Sequence, residues 1–244
     1  MENVLSIKNL NKSYEKFAIK DISFELKKGA IMAFIGRNGA GKTTTIKSML
    51  NFIHVDSGKI EFFGLDNVSF QQEIKQRIGY AGGGVDYYLN KKLKEIAKHT
   101  RPFYDNWDNE AYERYMKVFM LDENKKVKEL SAGMRVKFNI CLALSHHAEI
   151  LILDEPTSGL DPVSRDEFLD IIEKLGAKGV ATLFSTHITS DLEKCATHVT
   201  YIKEGEILLS DTKEEFVKKM GGGSLEEIMI RLEKREVDLW KNFW

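Results

Sequence analysis

Gly-Arg-Asn-Gly-Ala-Gly-Lys-Thr occupies positions 36 to 43 and is the stretch that decides the fold. It follows the apolar run Ile31 to Ile35 and leads into a helix-like sequence. Glycines at this spacing let successive backbone N–H groups turn inward around phosphate oxygens, which the side chain of Lys42 can also reach. Thr43 supplies a hydroxyl for a nucleotide-bound Mg²⁺, and the N-terminus of the next helix favours anions. The pattern predicts a loop that binds a nucleoside triphosphate, and the alternative is a tight turn without a ligand.

A second candidate site lies far downstream, where an apolar run ends in two adjacent acids. Ile150 to Leu153 is typical of a buried parallel strand, and Asp154 and Glu155 follow it directly. Ligands gather at the carboxyl ends of the strands in a parallel α/β sheet. Asp154 can therefore reach the Mg²⁺ shell, and Glu155 is placed to polarise an attacking water. The alternative is a solvated acidic turn without a ligand. The glycine-rich loop in the same chain favours the metal and water site over this alternative.

The composition predicts a cytosolic globular protein with a sizeable core. The chain has 244 residues, of which 43% are hydrophobic and 30% charged. This is about the length at which a chain begins to divide into two folding units instead of one. The net charge of −1 gives no general attraction for nucleic acid or for an anionic membrane. Cys141 and Cys195 are far apart, and we expect both to be reduced, buried thiols. No membrane span or export signal is visible in the sequence.

The order of apolar and charged stretches predicts an α/β fold with a helical insertion. Short apolar runs separated by turns fill the opening of the chain, which we therefore expect to be rich in β structure. Charged residues with aromatics at helical spacing follow, and strands and helices alternate again from Ile150. Gly221 to Gly223 predict a hinge before a charged tail. The predicted units are a main domain at 1–220, with its core at 1–81 and 145–220 and a helical subdomain at 82–144, and a tail at 221–244 that we expect to be helical.

Several short motifs occur in an order that resembles one protein family. Leu130-Ser131-Ala132-Gly133-Met134, between the glycine-rich loop and the acidic strand, resembles the LSGGQ signature of ATP-binding cassette (ABC) ATPases. The other matches are Tyr14 to the aromatic that stacks on adenine, Gly36 to Thr43 to Walker A, Ile150 to Glu155 to Walker B, Ser158 to Asp161 to the D-loop, and His187 to the switch histidine. The resemblance covers about residues 3 to 220, and its ordered motifs are specific.

The resemblance implies a fold, two ligands and a set of site residues. The implied fold is a P-loop NTPase of the ABC cassette type, with a RecA-like α/β core, an N-terminal antiparallel β region and a helical subdomain. The implied ligands are ATP and Mg²⁺. Catalysis is assigned to Glu155, His187 and Lys42, and metal binding to Thr43 and Asp154. The residues expected at the nucleotide are Tyr14, Gly36, Asn38, Gly39, Ala40, Gly41, Lys42, Thr43, Thr44, Ser131, Gly133 and Asp161.

The resemblance also implies partners. In the family, the signature of one cassette completes the phosphate site of another, so that two cassettes face head to tail. Whether the pair is two copies of this chain or this chain with a relative is left open. The runs Phe103 to Asp108 and Leu183 to Leu192 resemble bacterial exporter-type systems. We therefore expect a separate multi-helix transmembrane permease, ATP hydrolysis that drives export, a position on the inner face of the cell membrane with indirect membrane contact, and no nucleic-acid partner.

Two departures from the family pattern stand out. The family usually has a glutamine shortly after Ile78 to Tyr80, where the side chain reaches Mg²⁺ and couples the site to the membrane subunit. Here Gly82 to Gly84 occupy that place, which predicts looser coupling between lobes, and Asp86 is a candidate substitute. In the signature, Ala132 and Met134 differ from the usual residues. The second glycine of the signature, Gly133, is kept. We therefore expect that Ser131 and Gly133 still form an anion site at the start of the helix that follows.

Other side chains are assigned to structural roles. We expect His146 and His147 at a solvated helix end, and His54, His99 and His198 at the surface. The core of the helical subdomain is expected to contain Tyr87, Tyr88, Phe103, Tyr104 and Trp107, although some of them could line a groove for the membrane subunit. The apolar residues of the tail favour packing on the protein itself or its dimer mate over a helix on a membrane surface or partner.

Two other classes of function are considered. Some ABC ATPases act in solution on DNA or ribosomes, but they usually carry two cassettes or long coiled-coil insertions, and neither is visible here. A small-molecule kinase would share the glycine-rich loop. It would not explain the signature or His187, and it would yield a phosphorylated product instead of free phosphate.

Overall fold

A computed structural model describes residues 2–82 and 88–234. The strands are β1 (Asn3–Tyr14), β2 (Phe17–Lys27), β3 (Ile31–Ile35), β4 (Ser57–Phe62), β5 (Leu65–Asp66), β6 (Ile78–Gly82), β7 (Ile150–Asp154), β8 (Ala181–Thr186), β9 (His198–Lys203) and β10 (Glu206–Thr212). The α-helices are α1 (Lys42–Met49), α2 (Gln71–Gln76), α3 (Leu93–Thr100), α4 (Asn109–Val118), α5 (Ala132–Ser145), α6 (Pro162–Ala177), α7 (Thr189–Cys195), α8 (Lys213–Lys219) and α9 (Leu225–Lys234).

A six-stranded sheet in the order β10-β9-β3-β8-β7-β6 forms the centre of the molecule. Strands β3, β6, β7, β8 and β9 run parallel, and only β10 is antiparallel to its neighbour. All residues of β3, β7 and β8 are buried, so none of these strands shows the alternation of a strand with one solvated face. β3 is wholly apolar, β7 is apolar up to Asp154, and β8 carries buried hydroxyls at Thr182, Ser185 and Thr186. The carboxyl ends of these strands come together at one edge, where Asp154 lies opposite Ser185 in the register. The predicted residues Lys42, Thr43, Asp154, Glu155 and His187 lie at that edge.

A second, antiparallel sheet in the order β2-β1-β4-β5 covers one face of the first. Its inward side chains, among them Leu5, Ile22 and Phe62, are buried in one cluster with residues of α1 and of the central strands. Alternation of apolar and polar residues is clear in β2, as expected for a strand with one solvated face. The α/β class with an N-terminal antiparallel β region, predicted from the sequence, is confirmed.

Three α-helices, α3, α4 and α5, lie between β6 and β7 in the chain. Their buried residues, including Leu93, Tyr112 and Phe138, join a cluster that extends to α6, α7 and the other face of the six-stranded sheet. At the far end of the chain, Leu225 and Ile228 of α9 are buried in the same cluster. Leu239, Trp240 and Phe243, which the sequence places in the tail, lie outside the described residues. None of the helices in residues 2–82 and 88–234 is long and apolar enough to cross a bilayer.

His146 is buried, so its assignment to a solvated helix end is wrong. The residue directly follows α5 and is 3% exposed, its ring stacks on Tyr104 with 3.7 Å between the centroids, and its Nδ1 lies 3.1 Å from the carbonyl oxygen of Gln76. Stacking on an aromatic ring is a tertiary contact that the local sequence did not reveal. His147, His54 and His99 are exposed as expected, and His198 is partly buried.

Burial of His146 makes the stability of the fold dependent on pH. Burial lowers the pKa of this imidazole from 6.5 to about 4, so the unfolded chain takes up the proton first as the pH falls. The free energy of unfolding should therefore decrease below pH 6.5 and be about 2 kcal/mol lower at pH 5 than at pH 7 from this group alone. Urea unfolding at both pH values measures it. The decrease should be smaller by that amount in His146→Phe and unchanged in His99→Gln, which alters an exposed histidine; equal decreases in all three proteins would contradict the assignment.

The expected aromatic core of the helical stretch is only partly present. Phe103 is 75% exposed and Tyr88 is 63% exposed, whereas Tyr104 and Trp107 are partly buried; Tyr87 lies outside the described residues. Phe103 belongs to a 3-10 turn at Arg101–Phe103 that leaves its ring on the outside of the turn. The assignment of Phe103 and Tyr88 to the core is therefore wrong.

Both cysteines are buried and free, as the composition predicts. Burial raises the pKa of the Cys141 and Cys195 thiols to about 12. Since the thiolate is the reactive form, these side chains behave as small apolar residues of the core.

Candidate active site

The glycine-rich loop connects the end of β3 to the start of α1. A Cβ atom on Gly36 would lie 2.3 Å from the carbonyl oxygen of Ile202, so only glycine fits there. Gly39 and Gly41 have φ angles of 84° and 114°, in the left-handed region that glycine favours, and Gly41 is the N-cap of α1. Asn38, Ala40 and Thr44, which are also predicted at the nucleotide, lie in the same loop and the first turn of α1. The loop borders a cavity of about 230 Å³ whose other wall contains Ile202, Lys203 and Glu204.

Tyr14 lies at the end of β1 and is 48% exposed. It pairs with Phe17 in the β1–β2 register, and the ring of Phe17 reaches within 3.2 Å of the Cβ position of Gly41. The β1–β2 hairpin therefore ends beside the loop. An exposed aromatic ring at such a place is available for stacking on a nucleotide base.

Lys42 points back into the loop that precedes it. Its side chain is 4% exposed, and Nζ donates hydrogen bonds to the carbonyl oxygens of Gly36 at 2.7 Å and Arg37 at 3.2 Å. Nζ also lies 3.4 Å from Oε1 of Glu155. A buried ammonium group with these partners is held at the centre of the loop, where it can neutralise phosphate charge.

Thr43 and Asp154 bring two oxygen ligands together. The Thr43 hydroxyl donates to Oδ2 of Asp154 at 2.9 Å, and the Ser185 hydroxyl donates to Oδ1 at 2.6 Å. Asp154 is 8% exposed. One buried carboxylate beside a hydroxyl fits Mg²⁺, which prefers oxygen ligands and keeps several waters when it binds with a nucleotide. The donor set therefore suits the ion that the sequence predicts.

Glu155 occupies a constrained position between the loop and His187. Its φ angle is 50°, which is unusual for a residue with a side chain, and its N–H donates to the Ser185 hydroxyl at 2.8 Å. Oε2 of Glu155 lies 3.2 Å from Nδ1 of His187, whose side chain is 45% exposed. The structure thus brings Lys42, Thr43, Asp154, Glu155 and His187 together at the carboxyl edge of the sheet. A carboxylate and an imidazole placed side by side can orient a water for attack.

The other predicted nucleotide residues lie at two helix starts. Ser131 caps α5 by accepting from the N–H of Met134 at 3.2 Å, and Asp161 caps α6 by accepting from the N–H groups of Val163 and Ser164. Gly133 packs against Ser164, where a Cβ would come within 2.9 Å of the serine Cβ. These capping hydrogen bonds of Ser131 and Asp161 each stay within one helix start. The contact of Gly133 with Ser164 joins the two helix starts in a second group of predicted nucleotide residues.

Sequence reasoning missed the role of Ser185. Its hydroxyl links Asp154 to the backbone of Glu155, and so it fixes both acids at once. The sequence signal for this role is a hydroxyl near the carboxyl end of β8, the strand that follows the acidic strand β7 in the chain. In the structure the two strands are neighbours, and Ser185 lies opposite Asp154. The hypothesis about the missing glutamine is a different case: Gly82 ends β6, but Gly83, Gly84 and Asp86 lie outside the described residues.

Comparison with known proteins identifies the family. The family model described as "ABC transporter" matches residues 19–158, more than half of the chain. The bacitracin transport ATP-binding protein BcrA of Bacillus licheniformis is 36% identical over 212 residues, which cover 85% of this chain and 69% of BcrA. The lantibiotic transport ATP-binding protein SrtF of Streptococcus pyogenes is 32% identical over 237 residues, which cover 95% of this chain and all of SrtF (100%).

The fold comparison agrees with the family match. A solved structure described as the ATP-binding subunit of an ABC transporter superposes with a TM-score of 0.84 and 27% identity, covering 94% of this chain and 99% of the other. A nucleotide-free ATP-binding cassette from an ABC transporter superposes with a TM-score of 0.79 at 22% identity, covering 93% and 98%, and so supports the fold. These matches favour a transporter subunit over an ABC ATPase that acts on ribosomes or DNA. The chain belongs to the ABC transporter family: it is an ATP-binding subunit of the exporter type, and it is an ATPase whose activity drives transport.

Proposed function

We propose that this subunit hydrolyses ATP with the residues gathered at the carboxyl edge of the six-stranded sheet. The observation that carries the proposal is the contact chain from Lys42 through Glu155 to His187, with Thr43 and Asp154 beside it. Lys42 neutralises phosphate charge in the loop. Glu155 accepts a proton from the attacking water or positions it, and His187, in contact with Glu155, holds the other side of that water.

Mg²⁺ would be held by Thr43 and Asp154, and when bound it would offset negative charge on the phosphates. Ser185 keeps Asp154 in place through its hydrogen bond to Oδ1. Tyr14, exposed at the end of the β1–β2 hairpin, would stack on the adenine ring. The order of the motifs singles out Thr43, Asp154 and Tyr14 for these roles, and Ser185 is added from its hydrogen bond to Asp154.

We further propose that the second anion site, at the start of α5, serves the nucleotide of a second cassette. Ser131 and Gly133 offer a hydroxyl and backbone N–H groups at the N-terminus of a helix that runs for 14 residues. Asp161 caps the neighbouring helix α6, against which Gly133 packs. Head-to-tail pairing would bring these groups to the phosphate loop of the partner cassette, so that bound ATP holds the dimer together.

The proposed domain organisation follows from the same assignment. Residues 1–81 and 145–220 form the nucleotide-binding core, and residues 82–144 form the lobe that communicates with a separate membrane permease. Closure and opening of the cassette pair would move that permease between states. We place the working subunit on the inner face of the cell membrane, attached through the permease.

Affinity purification of the tagged full chain from mildly solubilised native membranes tests this function. We expect a multi-helix integral membrane protein to copurify in stoichiometric amount, because the chain has no membrane-crossing helix in its described residues and needs a partner for transport. Mass spectrometry identifies the partner and shows whether a second, different cassette is present. Recovery of ribosomal or DNA-bound proteins alone, without a membrane protein, would overturn the assignment.

A further inference from the structure

A buried carboxylate outside the motif set connects the segments that position the catalytic residues. Asp191 lies in α7, and its side chain is fully buried (0% exposed). Its Oδ2 accepts hydrogen bonds from the hydroxyls of Thr157 at 2.6 Å and Thr186 at 3.2 Å. Its Oδ1 is paired with Nε of Arg165. Thr157 lies in the turn after β7, Arg165 lies in α6, and Thr186 ends β8.

Each partner of Asp191 belongs to a different part of the proposed machinery. Thr157 follows Glu155 by two residues, in the turn closed by the bond from the N–H of Ser158 to the carbonyl oxygen of Glu155 at 3.2 Å. Thr186 immediately precedes His187, and its hydroxyl also accepts from the N–H of Ile188 at 3.0 Å. Arg165 lies in the first turn of α6, the helix that Asp161 caps.

The carboxylate of Asp191 and its two threonine partners have little access to water, whereas the Arg165 side chain is partly exposed. Thr157 is 2% exposed and Thr186 is 1% exposed. A buried carboxylate must be paired and hydrogen-bonded to be tolerated, so the two threonines and the arginine are held at fixed distances from one another. The turn after Glu155 and the strand end before His187 are therefore anchored to the same carboxylate.

We infer that Asp191 is a positioning residue, which sets the distance between Glu155 and His187 by binding Thr157 and Thr186 with one carboxylate oxygen. The inference rests on the proposed function, because it assigns to the same site a residue that holds the catalytic side chains in position. Asp191 itself need not touch the nucleotide. It acts on catalysis through the contact of Glu155 with His187, 3.2 Å between Oε2 and Nδ1. The Arg165 pair extends the same anchor to the start of α6.

The hydroxyl groups provide the cleanest test, because Thr→Val removes a hydroxyl with little change of shape and Thr→Ser keeps it. In the full chain, Thr157→Val and Thr186→Val should each lower kcat by about 10-fold or more, as a small misplacement of reacting groups does. The dissociation constant for ATP should stay within about 2-fold, since the loop at 36–43 is untouched. Thr157→Ser and Thr186→Ser should restore turnover to near the original value.

Asp191→Asn completes the design. It should lower kcat at least as much as either valine variant, because an amide that keeps its oxygen on Arg165 turns an NH2 group, which cannot accept a hydrogen bond, toward Thr157 and Thr186. Its effect should be non-additive with Thr157→Val, since both changes then remove the same hydrogen bond. Asp170→Asn is the matched control and should keep the original kcat, because this aspartate has a 45% exposed side chain and is paired with Lys194 at the surface. Thermal unfolding of every variant separates loss of folded protein from loss of turnover.

If the valine variants turn over ATP with the original kcat, as the serine variants should, the positioning role is overturned. A fall in kcat that is explained entirely by unfolding of the variant overturns it as well. Should Asp191→Asn fail to fold, the two threonine pairs still decide the matter. Glu155→Gln is measured in parallel. If it is inactive while Thr157→Val is fully active, only the role of Asp191 fails; if it keeps full turnover, the proposed catalytic assignment fails as well.

Discussion

Glu155→Gln is expected to reduce ATP turnover by about 100-fold or more while leaving ATP binding intact. The amide has nearly the shape of the carboxylate, so the contacts with Lys42 and His187 can persist in altered form. It cannot accept a proton from water, which removes the proposed base. Because bound ATP is then not consumed, the variant should accumulate as an ATP-bound dimer. Phosphate release measures turnover, and sedimentation with saturating ATP and Mg²⁺ measures the dimer.

Glu193→Gln is the matched control, since Glu193 is an exposed acid of α7 at the surface. It should turn over ATP at the original rate and show no trapped dimer. Two results would change the assignment in different ways. Full turnover by Glu155→Gln would remove this residue from the catalytic step. Loss of turnover in a variant that remains monomeric would instead show that the chain does not pair with itself, and would imply a different cassette as its partner.

The sequence predicted those parts of the site whose chemistry is local. Glycine spacing and the Lys42-Thr43 pair define the phosphate loop within a few residues, and the structure shows why, since a Cβ on Gly36 meets the backbone of Ile202. The acids of the second motif were visible because they end a buried apolar strand. Parallel register then brings Asp154 to Ser185, a pairing that the sequence alone does not specify.

Contacts between distant segments were harder to predict. No local pattern marks Asp191 as part of the site, because its partners Thr157 and Arg165 are close to it in space and not in sequence. The same limitation explains the error at His146, whose burial depends on stacking with Tyr104 across the helical stretch. Phe103 was misassigned for the opposite reason. Its apolar character suggested the core, yet the 3-10 turn that carries it leaves the ring exposed.

Lys42→Ala is expected to weaken ATP binding by roughly 100-fold, which corresponds to about 3 kcal/mol for a lost hydrogen bond between charged groups. The Lys42 side chain is 4% exposed, and its ammonium group is held against the loop carbonyls of Gly36 and Arg37. Without it, the phosphates would meet a carboxylate, Glu155, with no compensating charge beside it. Fluorescence titration with a labelled ATP analogue in the presence of Mg²⁺ measures the dissociation constant.

Folding must be separated from binding in this experiment, because the lysine also contributes to the structure of the empty loop. Lys42→Met keeps most of the aliphatic stem and removes the charge, so it should match Lys42→Ala in its loss of affinity while unfolding nearer to the original temperature. Lys47→Ala, which alters an exposed lysine in the last turn of the same helix, should bind ATP normally. Unchanged affinity in both Lys42 variants would mean that the loop at 36–43 does not bind the phosphates, and the catalytic roles assigned to Glu155 and His187 would lose their substrate.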